Sequence, residues 1–248
     1  MASESSKANA RMQKAAAERA AQAKREARRR YLTIGGVVLA MVLIIGGSVG
    51  YSVWKRDKDN DKLAAAASGR SDYGVTIGPD DAPHKVVIYE DFLCPFCGEL
   101  ESATRDDLAR LAADGKVQVE YRPFDLLSQL GDYPIRAASA FSVVLEKSGP
   151  EVAKKFHDLL YENQPSEQDP GAVTNDDLVD LAVEAGAKES DVAEAIRGVS
   201  NRDWVSEATA EAQKAGVTGT PTIVLDREVF DDGRTVDDLA DNLIEAIE

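Results

Sequence analysis

The chain contains two cysteines, Cys94 and Cys97, which form a single Cys-Pro-Phe-Cys motif. The β-branched and aromatic segment Lys85–Phe92 precedes the motif and predicts a strand, while helix-forming residues follow the motif as far as Gly115. A pair of thiols separated by two residues, between a strand and a helix, is suited to thiol–disulfide exchange. The sequence therefore indicates a redox-active dithiol.

The position of the motif predicts different roles for its two thiols. We expect Cys94 at the helix N-cap and Pro95 at the first helical position, where the missing N–H has no cost. Unpaired backbone N–H groups and the helix dipole would stabilise a Cys94 thiolate there. Cys94 is therefore predicted to be the nucleophile that forms mixed disulfides. Cys97, one turn further into the helix, is predicted to be the less exposed resolving thiol.

Other uses of the two cysteines fit the sequence less well. A zinc site normally has four ligands, and the two histidines, His84 and His157, lack paired ligand spacing. A structural disulfide across so short a loop would restrain little unfolded-chain entropy. Two thiolates would suit Cu(I), but the three methionines all precede residue 42. We expect no metal site and no cofactor beyond the redox-active disulfide itself, with a non-catalytic metal- or peptide-binding protein as the alternative.

A second motif, Gly219-Thr220-Pro221-Thr222, directly precedes a predicted strand. An X-Pro bond in this position is a candidate for cis geometry. Beside Cys94, such a loop would present backbone groups of Thr220 to an extended substrate peptide by strand addition. We therefore predict Thr220 and Pro221 as substrate-binding residues.

The remaining pattern predicts an α/β fold whose sheet is split in sequence by a helical insertion, because a strand–helix–strand unit comes first and a strand–strand–helix unit comes last. Thr174 and Ser190 are predicted N-caps of two helices in the insertion. The predicted elements are a strand at Val117–Tyr121, helices at 134–147, 151–163, 175–186, 190–198 and Trp204–Ala215, a hairpin of Thr222–Leu225 with Glu228–Phe230, and a helix at Val236–Ile247.

The N-terminal region predicts a membrane anchor. Leu32–Trp54 is free of charged residues, and its 23 residues would rise roughly 35 Å as a helix, against a hydrocarbon core of about 30 Å. Five basic residues within 24–30 precede this span, so the positive-inside rule places the N-terminus in the cytoplasm. The alternative is a signal peptide cleaved near Ala64–Ala67, although the apolar segment exceeds the usual ~7–15 residues. We predict a cytoplasmic tail at 1–31, a transmembrane signal anchor at 32–54, a flexible stalk at 55–71 and a folded extracytoplasmic domain at 72–248.

The charge distribution separates the tail from the rest of the chain. Residues 1–30 carry nine basic and three acidic side chains, so the overall net charge of −15 leaves −21 for everything after them. A body this acidic excludes a nucleic-acid-binding protein, because contacts with phosphates need a basic face. The expected non-protein partner is the lipid bilayer.

With these motifs the sequence resembles the DsbA-like thiol–disulfide oxidoreductases of the thioredoxin superfamily, especially the membrane-anchored branch of Gram-positive and actinobacterial envelopes. The similarity runs from IGPDDAPHKVVIYEDFLCPFC through FHDLLYENQ to VTGTPTIVLD. It implies a thioredoxin-like fold with a helical insertion at about 131–203, Cys94 as nucleophile, Cys97 as resolving thiol, and Thr220 with Pro221 in a cis-proline loop. It also implies oxidation, or in some members isomerisation, of cysteine pairs in secreted or envelope proteins, with recycling by a quinone-linked membrane partner. A disulfide isomerase or reductase is the alternative function.

Two departures from that family predict a milder oxidant. Phe96 stands where many oxidising relatives have a histidine, and Ile88 stands where many have a buried acid six residues before the first cysteine. Instead, four nearby acids are expected to oppose the thiolate and keep the Cys94 pKa above about 5. These acids are Glu90, Asp91, Glu99 and Glu101.

Four further features are interpreted as structural. His157 is expected to be a packing or surface residue, His84 to lack a partner, and Trp204 to anchor a helix in the core. The acidic run Asp231, Asp232, Asp237 and Asp238 is interpreted as a solvated helix start rather than a calcium site.

Overall fold

A five-stranded mixed sheet lies at the centre of the protein in the computed structural model, which describes residues 55, 58 and 60–248. The strands are β1 (Val75–Ile77), β2 (His84–Glu90), β3 (Val117–Pro123), β4 (Thr222–Leu225) and β5 (Glu228–Phe230). The helices are α1 (Pro95–Ala113), α2 (Tyr133–Ser148), α3 (Pro150–Glu162), α4 (Asn175–Ala185), α5 (Glu189–Arg197), α6 (Arg202–Ala215) and α7 (Val236–Ile247).

The order of the strands, β1-β3-β2-β4-β5, brings the two halves of the chain together. β2 pairs in parallel with β3 on one side and antiparallel with β4 on the other. In the β2–β4 register, Tyr89 lies opposite Thr222. The carboxyl end of β2, from which the chain enters the Cys-Pro-Phe-Cys motif, therefore lies beside the start of β4, which directly follows Pro221.

Helices cover both faces of the sheet. Alternate residues of β2 enter different cores: Val86 and Ile88 pack with α1, α7 and the α2–α5 helices, whereas Val87 and Tyr89 pack with α6. This alternation follows from the two-residue period of a strand, and burial on both faces explains why the predicted strand is almost continuously apolar. The central sheet and the helices on both of its faces therefore confirm the predicted thioredoxin-like α/β fold.

Helices α2 to α5 lie between β3 and α6 in the chain. α2 is buried along most of its length and has the other helices of this group around it. The predicted N-cap at Thr174 is confirmed, since Thr174 and Asp177 form a reciprocal capping box at the start of α4. The predicted N-cap at Ser190 is wrong: α5 begins at Glu189 after Lys188, and the Ser190 hydroxyl bonds to Asp191 instead.

The prediction of a flexible stalk over 55–71 needs correction for its second part. Residues 60–66 are helical, and Leu63 is buried in the core that contains α6. The Arg122 guanidinium donates to the carbonyl oxygens of Ala66 and Gly69, at the end of this helix where carbonyls lack helical partners. An alanine-rich segment with one well-placed leucine thus packs against the domain rather than staying free of it.

The predicted tail at 1–31 and membrane anchor at 32–54 lie outside the described residues. Within residues 55, 58 and 60–248, the structure contains no helix that is both long and apolar enough to cross a bilayer.

Candidate active site

Cys94 occupies the N-cap of α1, as predicted, and Pro95 is the first helical residue. The Cys94 N–H donates to the Asp91 carbonyl at 2.9 Å, which forms a tight turn at the end of β2. The Cys94 carbonyl accepts from the N–H groups of Cys97 at 3.1 Å and Gly98 at 3.2 Å. The sulfur of Cys94 is therefore carried at the positive end of a 19-residue helix.

The environment makes the two thiols unequal. A hydrogen bond from Cys97 is the largest influence on Cys94, and together with Thr220 and the N–H groups of Cys97 and Phe96 it lowers the pKa of Cys94 to about 6 against the opposing effect of burial. Burial raises the pKa of Cys97 well above its ordinary value. Both are free thiols in the structure. At neutral pH, Cys94 is the thiolate and Cys97 is the hydrogen-bond donor to it.

The second predicted motif lies against the first. The Thr220–Pro221 peptide bond is cis, and Cys94 Sγ lies 3.3 Å from the Thr220 carbonyl oxygen, to which the thiol donates when it is protonated. The Thr222 hydroxyl donates to the Gly219 carbonyl at 2.7 Å and closes the turn before β4. The structure thus brings the Cys94–Cys97 pair together with Thr220 and Pro221, although Cys94 and Thr220 are 126 residues apart in the chain.

Pro95 and Phe96 form the exposed side of the motif. Phe96 is 55% exposed, an unusual degree for a phenylalanine, and it lies in the first turn of α1 next to Cys94. The predicted motif residues therefore present an apolar surface to solvent beside the reactive sulfur.

Three of the four carboxylates predicted to oppose the thiolate, those of Glu90, Asp91 and Glu101, have other partners. Asp91 accepts backbone hydrogen bonds from Leu93 at 2.8 Å, Leu126 at 2.7 Å and Leu127 at 2.9 Å, and burial raises its pKa to about 6 despite these bonds. It ties the loop before Cys94 to the loop after β3. None of the acids expected to act on Cys94 is among the principal influences on its pKa, so that expectation is corrected.

Side chains from β2, α1 and α3 form a buried charged cluster, which the sequence analysis did not predict. His157 is fully buried, and its Nε2 lies 2.6 Å from Glu90 Oε1, while its Nδ1 lies 3.0 Å from Asp158 Oδ1. Burial alone would lower the pKa of His157, but Glu90 and Glu101 raise it to about 9. His157 therefore carries a positive charge at neutral pH. Its interpretation as an ordinary packing or surface residue omitted this ion pairing.

The same cluster contains three ligating groups close enough for a metal ion, those of Glu101, His157 and Asp158. The Lys154 ammonium, however, contacts Glu101 at 3.2 Å and also contacts Asp158. Because Lys154 and His157 both pair with these two carboxylates, the arrangement fits a network of ion pairs rather than a metal centre. The FHDLLYENQ segment placed His157 on a helix, but only the folded chain shows that acids from β2 and α1 meet it.

The other residues singled out in the sequence have structural contacts. His84 does have a partner, contrary to expectation, because its Nδ1 lies 2.7 Å from Oδ2 of Asp226, which is in the turn between β4 and β5. Trp204 is half-buried and packs against Phe141 and Tyr73. At the start of α7, Thr235 is the N-cap and accepts from the Asp238 N–H at 3.0 Å; Asp237 also lies in the first turn.

Comparisons with known proteins agree with the thioredoxin-like fold. The thioredoxin family profile matches residues 70–246. A probable disulfide bond formation protein D from Bacillus cereus is 29% identical over 198 residues, which cover 77% of this chain and 86% of that protein. The crystal structure of reduced DsbA from Mycobacterium tuberculosis is 25% identical with a TM-score of 0.58, over 71% of this chain and 92% of that one. Oxidised BdbD from Bacillus subtilis is 27% identical with a TM-score of 0.60, over 70% of this chain and 90% of that one.

Proposed function

Because the chain belongs to the thioredoxin family, as a DsbA-like thiol–disulfide oxidoreductase, we propose that it oxidises cysteine pairs in secreted or envelope proteins through Cys94 and Cys97. The observation that carries this proposal is the unequal thiol pair, with Cys94 at a helix N-terminus and its pKa lowered to about 6. A thiolate of low pKa is a good leaving group, and stabilising it stabilises the reduced protein, which makes the disulfide oxidising.

The reaction consists of two thiol–disulfide exchanges. A client thiolate attacks Cys94 Sγ of the Cys94–Cys97 disulfide, so that a client–Cys94 bond forms and the sulfur of Cys97 leaves and takes up a proton. A second client thiolate then attacks the client sulfur of this mixed disulfide and expels the Cys94 thiolate. The client loses two electrons and two protons overall and gains a disulfide, while the protein is left reduced.

Thr220 and Pro221 are proposed to bind the client segment. Their place at the start of β4, with the Thr220 carbonyl 3.3 Å from Cys94 Sγ, suits an extended peptide that adds as a short strand beside the reactive sulfur. The exposed ring of Phe96 would contact an apolar side chain of that peptide.

The location and recycling of the protein are also proposed. The uncharged span 32–54 and the five basic residues within 24–30 support a single-pass anchor with residues 1–31 in the cytoplasm and the domain at 72–248 outside. An oxidising compartment would keep the disulfide formed. No bound cofactor takes part in this scheme, and a membrane partner linked to quinone would accept the two electrons and restore the disulfide.

The reduction potential of the full-length chain tests the direction of the reaction. With the purified protein in mild detergent, equilibration in glutathione buffers is expected to give a value between about −120 and −180 mV, the oxidising and isomerising range. The oxidised protein should then form a disulfide in a reduced two-cysteine peptide. In the reverse direction, the Cys94 thiolate of Cys97→Ser attacks a client disulfide and releases one client thiolate, and the Cys94–client mixed disulfide should accumulate because no Cys97 thiol is present to displace the client. A value of about −270 mV would indicate a reductant instead. If the Cys94→Ala/Cys97→Ala variant restores the folding of client proteins as fully as the wild-type protein does, a non-catalytic peptide-binding protein would be favoured.

A further inference from the structure

Gln164 lies two residues after the end of α3, and its side chain reaches the loop that carries the reactive cysteine. Its side-chain Nε2 donates to the Phe92 carbonyl and to the Cys94 carbonyl, both at 2.9 Å. These two acceptors flank Leu93, the last residue before the motif. One amide group from the helical insertion therefore holds both sides of the turn that leads into α1.

Gly98 provides the space for this amide. A β-carbon at Gly98 would lie 2.6 Å from Gln164 Oε1, closer than such atoms can approach without a shift of one of them. The Gly98 N–H donates to the same Cys94 carbonyl that Gln164 binds. The glycine in the first turn of α1 and the glutamine after α3 thus form a matched pair around one carbonyl oxygen.

The Cys94 carbonyl accepts three hydrogen bonds, from the N–H groups of Cys97 and Gly98 and from the Gln164 amide. Asp91 holds the opposite side of the same loop through the Leu93 N–H. The loop is therefore fixed from the insertion on one side and from the sheet on the other. Loss of the Gln164 bonds would remove one donor from each of two partly buried carbonyls, a cost that the loop could avoid only by moving.

We propose that Gln164 is a positioning residue for the reactive thiol: by holding the carbonyls of Phe92 and Cys94, it keeps Cys94 Sγ in register with the N–H groups at the start of α1 and with Thr220. The inference deepens the proposed function, since the group that it positions is the sulfur that forms the mixed disulfide. It also gives the helical insertion a direct part in the site, because Gln164 lies outside the strands and helices that form the sheet layers.

The Cys94 thiolate itself reports on this role. In the full-length reduced protein, the rate of Cys94 alkylation measured against pH gives the thiolate pKa without any client. Gln164→Ala should raise that pKa by about one unit, because a displaced sulfur loses part of its N–H contacts. The thiolate would then bind its proton about tenfold more tightly. Gly98→Ala should raise it in the same direction, since the new methyl group occupies the position of the Gln164 amide.

The double variant Gln164→Ala/Gly98→Ala distinguishes the proposal from general damage to the fold. Once Gln164 is shortened, the methyl group added at position 98 has room, so the double variant should have the pKa of Gln164→Ala rather than the sum of the two shifts. Asn163→Ala is the matched control, because Asn163 lies at the same helix end but its side chain bonds only within α3, to Leu159. It should leave the pKa unchanged.

Two results would overturn the inference: an unshifted pKa in folded Gln164→Ala, or additive shifts in the double variant. If Gln164→Ala does not fold, the isosteric Gln164→Glu serves instead, and its carboxylate against two carbonyls should raise the pKa further. Thermal unfolding of each variant separates a loss of stability from a shift at Cys94. If the pKa pattern holds but the wild-type protein oxidises no client, the proposed function fails while the positioning role stands.

Discussion

At the residue scale, the site depends on an asymmetry between two identical side chains. Cys94 and Cys97 are both nearly inaccessible, at 4% and 2% exposed, so accessibility alone does not decide which one reacts. The difference comes from hydrogen bonding. Cys94 is surrounded by donors at the helix start and has its pKa lowered to about 6, whereas burial raises that of Cys97. A substitution that adds or removes a hydrogen-bond donor near Cys94 should therefore change the reactivity of the thiol pair.

Phe96→His tests this at the position beside Cys94. The Phe96 side chain is exposed and offers neither a donor nor a charge, so an imidazole there adds both near the thiolate. We expect the Cys94 pKa to fall from about 6 by about one unit, since a nearby positive charge or donor favours the anionic form. Alkylation rate against pH measures the shift, and the reduction potential should become more oxidising in parallel.

Phe96→Leu provides the control, because it keeps an apolar side chain of similar reach and should leave the Cys94 pKa at about 6. Equal pKa values for Phe96→His and Phe96→Leu would contradict the idea that the motif phenylalanine makes this protein a milder oxidant than histidine-containing relatives.

At the scale of the elements, the buried charged cluster joins three of them. Glu90 ends β2, Glu101 lies in α1 one turn after Cys97, and His157 lies in α3. The Glu90–His157 pair spans 67 residues of sequence. This separation explains why the start of α1 could be predicted from local signals such as Pro95 while the role of His157 could not, since its charge depends on partners that only the tertiary fold supplies.

The cluster predicts a pH dependence of stability that is separate from the thiols. The folded pKa of His157 is raised to about 9, above its unfolded value of about 6.5, so its contribution is complete below about 6.5 and is lost as pH rises through about 9. The free energy of unfolding should fall by on the order of 3 kcal/mol over that interval. The carboxylates that contact His157 are Glu90 from β2, Glu101 from α1 and Asp158 from α3, and the rings of Tyr121 and Tyr161 pack against it. Arg105 and Lys154 contact these carboxylates rather than the imidazole.

Urea unfolding of the oxidised full-length protein at several pH values measures this dependence, because the disulfide removes the titration of both thiols. His157→Gln is the comparison: it should be less stable overall and should lose most of the decline between about pH 6.5 and 9. If the free energies of unfolding of the wild-type protein and His157→Gln fall in parallel as the pH rises, another group causes the decline.

At the scale of the whole molecule, the site is assembled by the order of the sheet. Antiparallel pairing of β4 with β2 places Thr220 against Cys94, 126 residues away. The first and last units of the fold, with their strands and capping helices, could be predicted because each has a clear local pattern. β1 was not predicted, because a three-residue strand has almost no pattern of its own. Gln164 was visible only as part of a motif, since its two acceptors are 72 and 70 residues away.

The same architecture predicts that reduction stabilises the protein in a pH-dependent way. The folded pKa of Cys94, about 6, is below its unfolded value of about 8.5, so the contribution of the thiolate is present above the unfolded pKa and is lost as pH falls through about 6. The free energy of unfolding of the reduced protein, minus that of the oxidised protein, should therefore grow by about 1 kcal/mol between pH 5 and 7, after allowance for solvent screening.

Taking the difference between the two redox forms removes the contributions that both forms share, including those of Asp91 and His157. The effect of the disulfide on the unfolded chain does not depend on pH, so it cancels when the two pH values are compared. Urea unfolding of both forms at pH 5 and pH 7 supplies the four values. Reduced Cys94→Ser cannot form the thiolate, so its stability relative to oxidised wild type should stay constant over the same interval. A wild-type difference that stays equally constant would mean that the Cys94 thiolate is not stabilised by the fold, and the source of the oxidising power would have to lie in strain of the disulfide instead.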